Sequence, residues 1–270
     1  MGGRPVKRIF VTLVLLSGFG LSGAGAQSAQ SSRPRVLILY SLNVETDHVL
    51  FALDALRFFA ELAEKDSLTL DATTNWEDLN DINLKKYQLV VWLNEFPHNQ
   101  AEREAFEKYM TGGGAWLGFH VSAYNDKTTK WPWFMTFIGG GVFDANSWPP
   151  VPAKLIVDDT RSPVTRNLPE TFVSPTNEWY RWKPSPRADS HIHVLLTLDP
   201  ANYPLGIKGL LTYGDIPVVW TNTQYKMVYM NMGHGDKIFT SPVQNTLIEN
   251  AAEWLLGKAG QSLSSPGRVE

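Results

Sequence analysis

Three histidines and one glutamate follow apolar runs closely enough to do chemistry together. They are His48 in Glu45-Thr46-Asp47-His48, His120 after Gly118-Phe119, Glu178 in Asn177-Glu178-Trp179-Tyr180, and His234 in Gly233-His234-Gly235-Asp236. Imidazoles titrate near neutral pH, and a carboxylate beside one can hold its tautomer or raise its basicity, so the set suits general acid–base work. The same donors also suit zinc or a similar divalent ion with a position left for water. No two of them lie at a short ligand spacing such as H-x₃-H, so spacing does not choose between the two chemistries. The chain has no cysteine, which removes thiol nucleophiles, thiolate ligands and disulfides.

Convergence of these groups requires strands that end at one edge. Arg35 to Tyr40, Tyr87 to Leu93 and Ala115 to Phe119 are nearly continuous apolar runs, the pattern of strands buried on both faces. Leu68 to Ala72 reads as a further strand. Helices are expected over His48–Lys65, with Asp47 as its cap and Leu50, Leu53, Ala55, Leu56, Phe59 and Leu62 on its apolar face, and over Asn99–Met110. The second of these ends at Gly112 to Gly114. The alternation implies a parallel sheet with right-handed crossovers, whose carboxyl edge forms the ligand crevice. Gly118 would let a substrate or loop approach the backbone closely.

After this core, Trp131 to Ile138 reads as a short aromatic helix and Gly139 to Pro152 as a loop. Ala153–Val157 and His193–Leu198 read as strands of an extension, with a proline-rich loop from Ser162 to Arg187 between them. Pro217–Thr221 and Lys226–Met232 form a hairpin or adjacent strands, and Ser241–Leu256 a last helix.

Residues 1–26 are set apart as a secretory leader: Arg4, Lys7 and Arg8, then the apolar run Ile9 to Leu16, then Ala24-Gly25-Ala26. The expected organisation is leader 1–26, disordered spacer 27–34, one domain over 35–257 and a loose tail over 258–270. The mature protein is expected to be exported, periplasmic or secreted, with no membrane span after cleavage. A net charge of −3 without basic runs argues against nucleic acid as partner. Ten tryptophans in an aromatic fraction of 12% fit a carbohydrate ligand as readily as a packed core.

The motifs resemble, in order and spacing, the ThuA-like (trehalose-utilisation) family. They are Gly118-Phe119-His120, Trp131-Pro132-Trp133-Phe134, Gly139-Gly140 with Phe143, Asn177-Glu178-Trp179-Tyr180, Pro217-Val218-Val219-Trp220, and Met232-Gly233-His234 with Phe239 and Pro242. The resemblance covers about Arg35 to Gly257. It implies a flavodoxin-like three-layer sandwich with a mostly parallel central sheet, similar to class I glutamine amidotransferases, with a β-rich insertion. Three positions depart from the family pattern. Asn146-Ser147-Trp148-Pro149 and Ser162-Pro163 stand where His-Pro pairs are usual, and Asn177 where an acidic residue is usual.

On this reading His120 is the acid/base, Glu178 its partner or a second base, and His234 a polariser of a substrate oxygen, with His48 beside them. Tyr180, Trp131, Trp133 and Asn177 shape the substrate pocket. The implied substrate is a sugar or keto-sugar, changed by isomerisation, proton abstraction next to a carbonyl, or elimination. Glutaminase activity is excluded, because the elbow that would carry a nucleophilic cysteine carries His120. Two other readings stay open: His48, His120, His234 and Glu178 as ligands of a divalent metal such as zinc, and a carbohydrate-binding or interaction module without catalysis. The expected partner is a small-molecule carbohydrate, with a homodimer left open. His191 and His193 read as an exposed strand edge, and His98 as solvated.

Overall fold

Strand β1 (Arg35–Leu39) is buried from Val36 to Leu39. Helix α1 (Thr46–Asp66) then leads to β2 (Thr69–Thr73), the one-turn α2 (Asp81–Leu84), β3 (Leu89–Trp92), α3 (Gln100–Thr111) and β4 (Ala115–Phe119). The computed structural model describes residues 33–126, 128–205 and 214–258. The expected leader (1–26), most of the spacer (27–34) and nearly all of the tail (258–270) lie outside them.

Local sequence explains most of these boundaries. Asn99 caps α3 through the Glu102 N–H while Glu102 bonds back to the Asn99 N–H, a reciprocal capping box. The helix ends at the glycines, where Gly113 takes a left-handed φ of 90°. At α1 the cap position is Glu45, which makes no side-chain capping bond, and Asp47 lies in the first turn. There its charge still favours the helix N-terminus. The buried stripe of α1 runs through Phe51, Ala52, Ala55, Phe59 and Leu62, whereas Leu50 and Leu53 face outward.

The chain continues through α4 (Pro132–Phe137), β5 (Val142–Asn146), β6 (Val151–Val157), β7 (Thr171–Asn177), β8 (Tyr180–Lys183), β9 (Ile192–Leu198), β10 (Pro217–Asn222), β11 (Tyr225–Met230) and α5 (Pro242–Leu255). The main sheet has nine strands in the order β2-β1-β3-β4-β11-β10-β9-β6-β7. Pairings from β2 through β11 are parallel, and those from β11 through β7 are antiparallel.

The first five positions reproduce the flavodoxin order 2-1-3-4-5, with β11 as the fifth strand. The sheet as a whole is mixed, which corrects the expectation of a mostly parallel one. The reason is the tight turn between β10 and β11, which reverses direction in the middle of the sheet. The residues expected to form an insertion therefore extend the main sheet, through β6, β7 and β9. Only β5 and β8 stand apart, as an antiparallel pair.

Alternating side chains of the central strands feed two cores. Val36, Ile38, Val91, Leu117 and Val228 pack with Phe51 and Phe59 of α1 and Leu247 and Leu255 of α5. Leu37, Leu39, Val90, Trp92 and Trp116 pack with Phe106 of α3 and Phe134 and Phe137 of α4. Helices thus cover both faces of an α/β sheet and leave the carboxyl ends of β1, β4 and β11 to carry polar groups. No helix among the described residues is long and apolar enough to cross a membrane.

Candidate active site

His120 is the first residue past β4, where the chain turns from strand into a single 3₁₀ turn, His120–Ala123. Its φ of 44° is left-handed, unusual for a residue with a Cβ and costing about 1–2 kcal/mol. The conformation turns the chain off the strand axis beside His48 and His234. The ring Nδ1 lies 2.9 Å from the Asn231 carbonyl oxygen. A carbonyl only accepts, so Nδ1 carries a proton and Nε2 is the ring atom turned toward Glu178. The Tyr229 hydroxyl donates to the His120 carbonyl at 2.9 Å.

His48, in the first turn of α1, and His234, in the turn after β11, complete a triangle of imidazoles. Ring centroids are 5.2 Å apart for His48–His120, 5.0 Å for His48–His234 and 5.5 Å for His120–His234. Glu178, at the β7–β8 junction, sets Oε2 3.3 Å from His120 Nε2 and 3.9 Å from His234 Nε2. The Asn146 amide donates to Glu178 Oε1. The Tyr180 ring lies over the His120 ring at 4.1 Å. His120 and His234 are 0% and 1% exposed, and His48 and Glu178 are 8% exposed. Glu45 and Asp47 form an exposed acidic rim 3.8 Å and 3.7 Å from the His234 ring nitrogens.

Burial dominates the charge states. It pushes the His48 imidazole down to about 3, helped by His120 and His234. It also lowers His234, with His120 adding and Glu178 and Asp47 opposing. Burial by itself would raise the Glu178 carboxyl, but His120, His234 and the Asn146 amide outweigh it and hold the carboxyl below its ordinary value. Tyr180 is raised by burial and then by the Glu178 charge. Near neutral pH the crevice therefore holds uncharged His48 and His234, an ionised Glu178 and a protonated phenol.

The structure brings together His48, His120, Glu178, His234 and Tyr180. Asn177 is fully buried. Its Oδ1 accepts from the Gly233 and His234 N–H groups at 3.1 Å and 3.0 Å, and its Nδ2 donates to the Glu178 and Asn231 carbonyls. It positions the loop that carries His234. An asparagine does this where an aspartate could not, because the site needs a donor as well as an acceptor.

Trp131 and Trp133 do not reach the histidines. Pro132 opens α4 and directs both indoles onto Phe106 of α3. Trp133 also packs on Tyr225, at the opposite end of β11 from His234. The close approach at Gly118 is made by the Trp116 ring and Ser122 Oγ, which would lie 2.0 Å and 2.7 Å from an added Cβ. A cavity of about 680 Å³ beside β6 and β9 holds none of the histidines, and its Arg187 is already paired with Asp158 and Asp215.

Asn231, Asn146 and Tyr229 escape a reading of the sequence. Asn231 is the hub: its carbonyl takes His120, and its Oδ1 accepts the Tyr180 N–H at 3.0 Å. Its signal was a lone polar residue inside the apolar run Tyr229-Met230-Asn231-Met232. Asn146 falls within one of the departures from the family pattern, and there it supplies the amide that holds Glu178.

Gly233 fixes how closely the β11 turn approaches His120, since an added Cβ would sit 2.5 Å from His120 Cβ. Gly233→Ala is expected to displace His120, costing about 1–3 kcal/mol of stability as overpacking does. A chemical-denaturation midpoint equal to wild type would contradict this.

The sequence profile of the ThuA family, described as trehalose utilisation, matches residues 35–255. The chain belongs to the ThuA family. A ThuA-like protein from Bacteroides uniformis is 48% identical with a TM-score of 0.82, over 88% of this chain and 98% of that one. A second ThuA-like protein, from Parabacteroides merdae, is 18% identical with a TM-score of 0.63, over 86% and 93%. The ThuA fold also matches a GMP synthase-like protein from Thermoplasma acidophilum, with 10% identity and a TM-score of 0.52, over 85% and 96%. That likeness concerns fold alone and is consistent with the flavodoxin-like strand order. No curated protein sequence matches the chain.

Proposed function

We propose that this ThuA-family chain moves a proton on a sugar or keto-sugar bound beyond the ends of β1, β4 and β11. One observation carries the reading: His120 Nε2 lies 3.3 Å from Glu178 Oε2 in a buried setting, with Nδ1 held on the Asn231 carbonyl. Two acceptors so placed repel unless a proton lies between them, so the pair stores a mobile proton. Placed next to a substrate carbonyl, the pair in its unprotonated form takes the proton from the adjacent carbon and holds it between Nε2 and the carboxylate. The C–H bonding electrons become the C=C bond of an enediol, and the Tyr180 hydroxyl, kept protonated, donates to the oxygen that gains charge. Return of the proton to the neighbouring carbon completes an isomerisation; its transfer to a departing oxygen completes an elimination. His48 and His234, uncharged, each offer one donor and one acceptor to sugar hydroxyls. The sugar assignment is supported by the family's description and by the polar side chains gathered at these strand ends.

Export is part of the same proposal and is supported by the sequence of residues 4–26 alone. Without cysteine, thioester chemistry has no nucleophile.

Incubation with a panel of keto-sugars in deuterium oxide, followed by proton NMR, tests the reaction. The expected result is enzyme-dependent deuterium entry next to the carbonyl, at least about 100-fold above buffer. Saturable sugar binding with no exchange across the panel would refute the proposal and favour a carbohydrate-binding module.

A further inference from the structure

A proton is one way to relieve two facing acceptors, and a cation is the other. We propose that His48, His120 and Glu178 bind one divalent transition-metal ion, zinc fitting best, at the floor of the crevice. The inference rests only on the reading of this cluster as a proton-transfer site: it puts the His120 and Glu178 atoms on an ion in place of a shared proton and names what would hold the keto oxygen.

Four observations converge. One ligand atom from each of the three residues lies within 4.8 Å of the other two. The Nε2 atoms of His48 and His120 are both buried and have no hydrogen-bond partner among the described residues. His120 donates its other ring N–H to the Asn231 carbonyl, the outer contact that fixes tautomer and orientation in metal-binding imidazoles, and Glu178 is steadied by Asn146. Finally, the 3.3 Å between His120 Nε2 and Glu178 Oε2 is long for a charged hydrogen bond. It matches the spacing of two ligands around a tetrahedral ion, roughly 3.3–3.4 Å for bonds of about 2.0–2.1 Å.

Two imidazoles and a carboxylate favour zinc or iron over calcium or magnesium. A second grouping, Glu45 with His48 and His234, competes for His48 but depends on an exposed carboxylate. An ion held by His48, His120 and Glu178 would supply Lewis-acid polarisation of the keto oxygen. His234 would then be left to carry the proton; its two ring nitrogens have no hydrogen-bond partner among the described residues.

The experiment is metal binding by the purified protein after EDTA treatment and dialysis, titrated separately with zinc and with cobalt(II). The expected result is one equivalent of zinc and a visible cobalt absorption of four-coordinate intensity. His48→Ala, His120→Ala and Glu178→Gln should each weaken zinc binding at least tenfold, and the His191→Ala/His193→Ala pair should not. Wild-type protein that takes up no stoichiometric zinc and gives no cobalt band overturns the proposal without reference to any variant's folding. Loss confined to the His191/His193 variant overturns it as well. Stoichiometric zinc without deuterium exchange on any keto-sugar supports the metal site and refutes the reaction; exchange that persists undiminished in EDTA does the reverse.

Discussion

Glu178→Gln is expected to lower turnover of the keto-sugar by about 10²–10⁴-fold, the range over which a positioned acid or base contributes. Glutamine keeps the volume and shape of the side chain but carries no charge, so it can neither share a proton with His120 Nε2 nor bind a cation as strongly. Circular dichroism should show an unchanged fold, because the Asn146 amide still has a carbonyl oxygen to meet. His120→Ala should lose at least as much, since it removes the group that Asn231 and Tyr180 orient. Trp133→Ala is the contrasting variant. It strips packing from Phe106, Phe137 and Tyr225 and should lower the melting temperature, yet leave turnover per folded molecule near wild type. Equal turnover in Glu178→Gln and wild type would remove the carboxylate from the chemistry.

Acid is expected to destabilise the metal-free protein well before its carboxylates titrate. His48 is held at about 3 in the folded chain against 6.5 in the unfolded one. Between those values the unfolded state binds a proton that the folded state does not, so stability falls as pH falls. The slope is about 1.4 kcal/mol per pH unit between the two values, which gives about 2 kcal/mol from pH 6.5 to 5 and about 4 kcal/mol by pH 3. His234, lowered by the same burial, acts in the same direction. Glu178 adds to the loss only lower: its pKa is depressed, so its contribution is full above 4.5 and disappears as pH drops below that. Urea midpoints at pH 7 and pH 5 in EDTA measure the effect. His48→Gln should shrink the difference, and equal midpoints for wild type at both values would contradict the buried, uncharged assignment.

The parallel half of the fold was legible because its signals are local. Buried strands such as β1 and β4 read as unbroken apolar runs, and α3 carries its own cap and stop. The second half was not. β7 lies within a stretch that reads as a proline-rich loop, because Pro175 cannot donate to a ladder. The strand tolerates it because β7 is the outer edge of the sheet. The β5–β8 pair depends on partners more than thirty residues apart, which no local pattern reports. Strand direction was missed for the same reason, since it depends on where the β10–β11 hairpin inserts.

At the site, titratable residues at strand ends were visible by type. Asn231 and Asn146 were not, because a buried amide acts through backbone groups that come near it only after folding. The tryptophans misled because an aromatic cluster reads alike whether it lines a sugar site or fills the α3 face.

The position of β11 determines how the protein must acquire its structure. This strand is the last in sequence among the described ones, yet it lies in the middle of the sheet, parallel to β4 and antiparallel to β10. Until it is in place, β4 keeps an unpaired edge and the sheet is two fragments that nothing joins. Pairing β11 with β4 closes a loop of roughly a hundred residues, the kind of distant contact that slows folding and leaves sticky intermediates. The same event delivers Asn231 and His234 to His120. No partly folded chain therefore holds a working crevice, and a chain cut short before β11 has both an open sheet edge and no reactive centre.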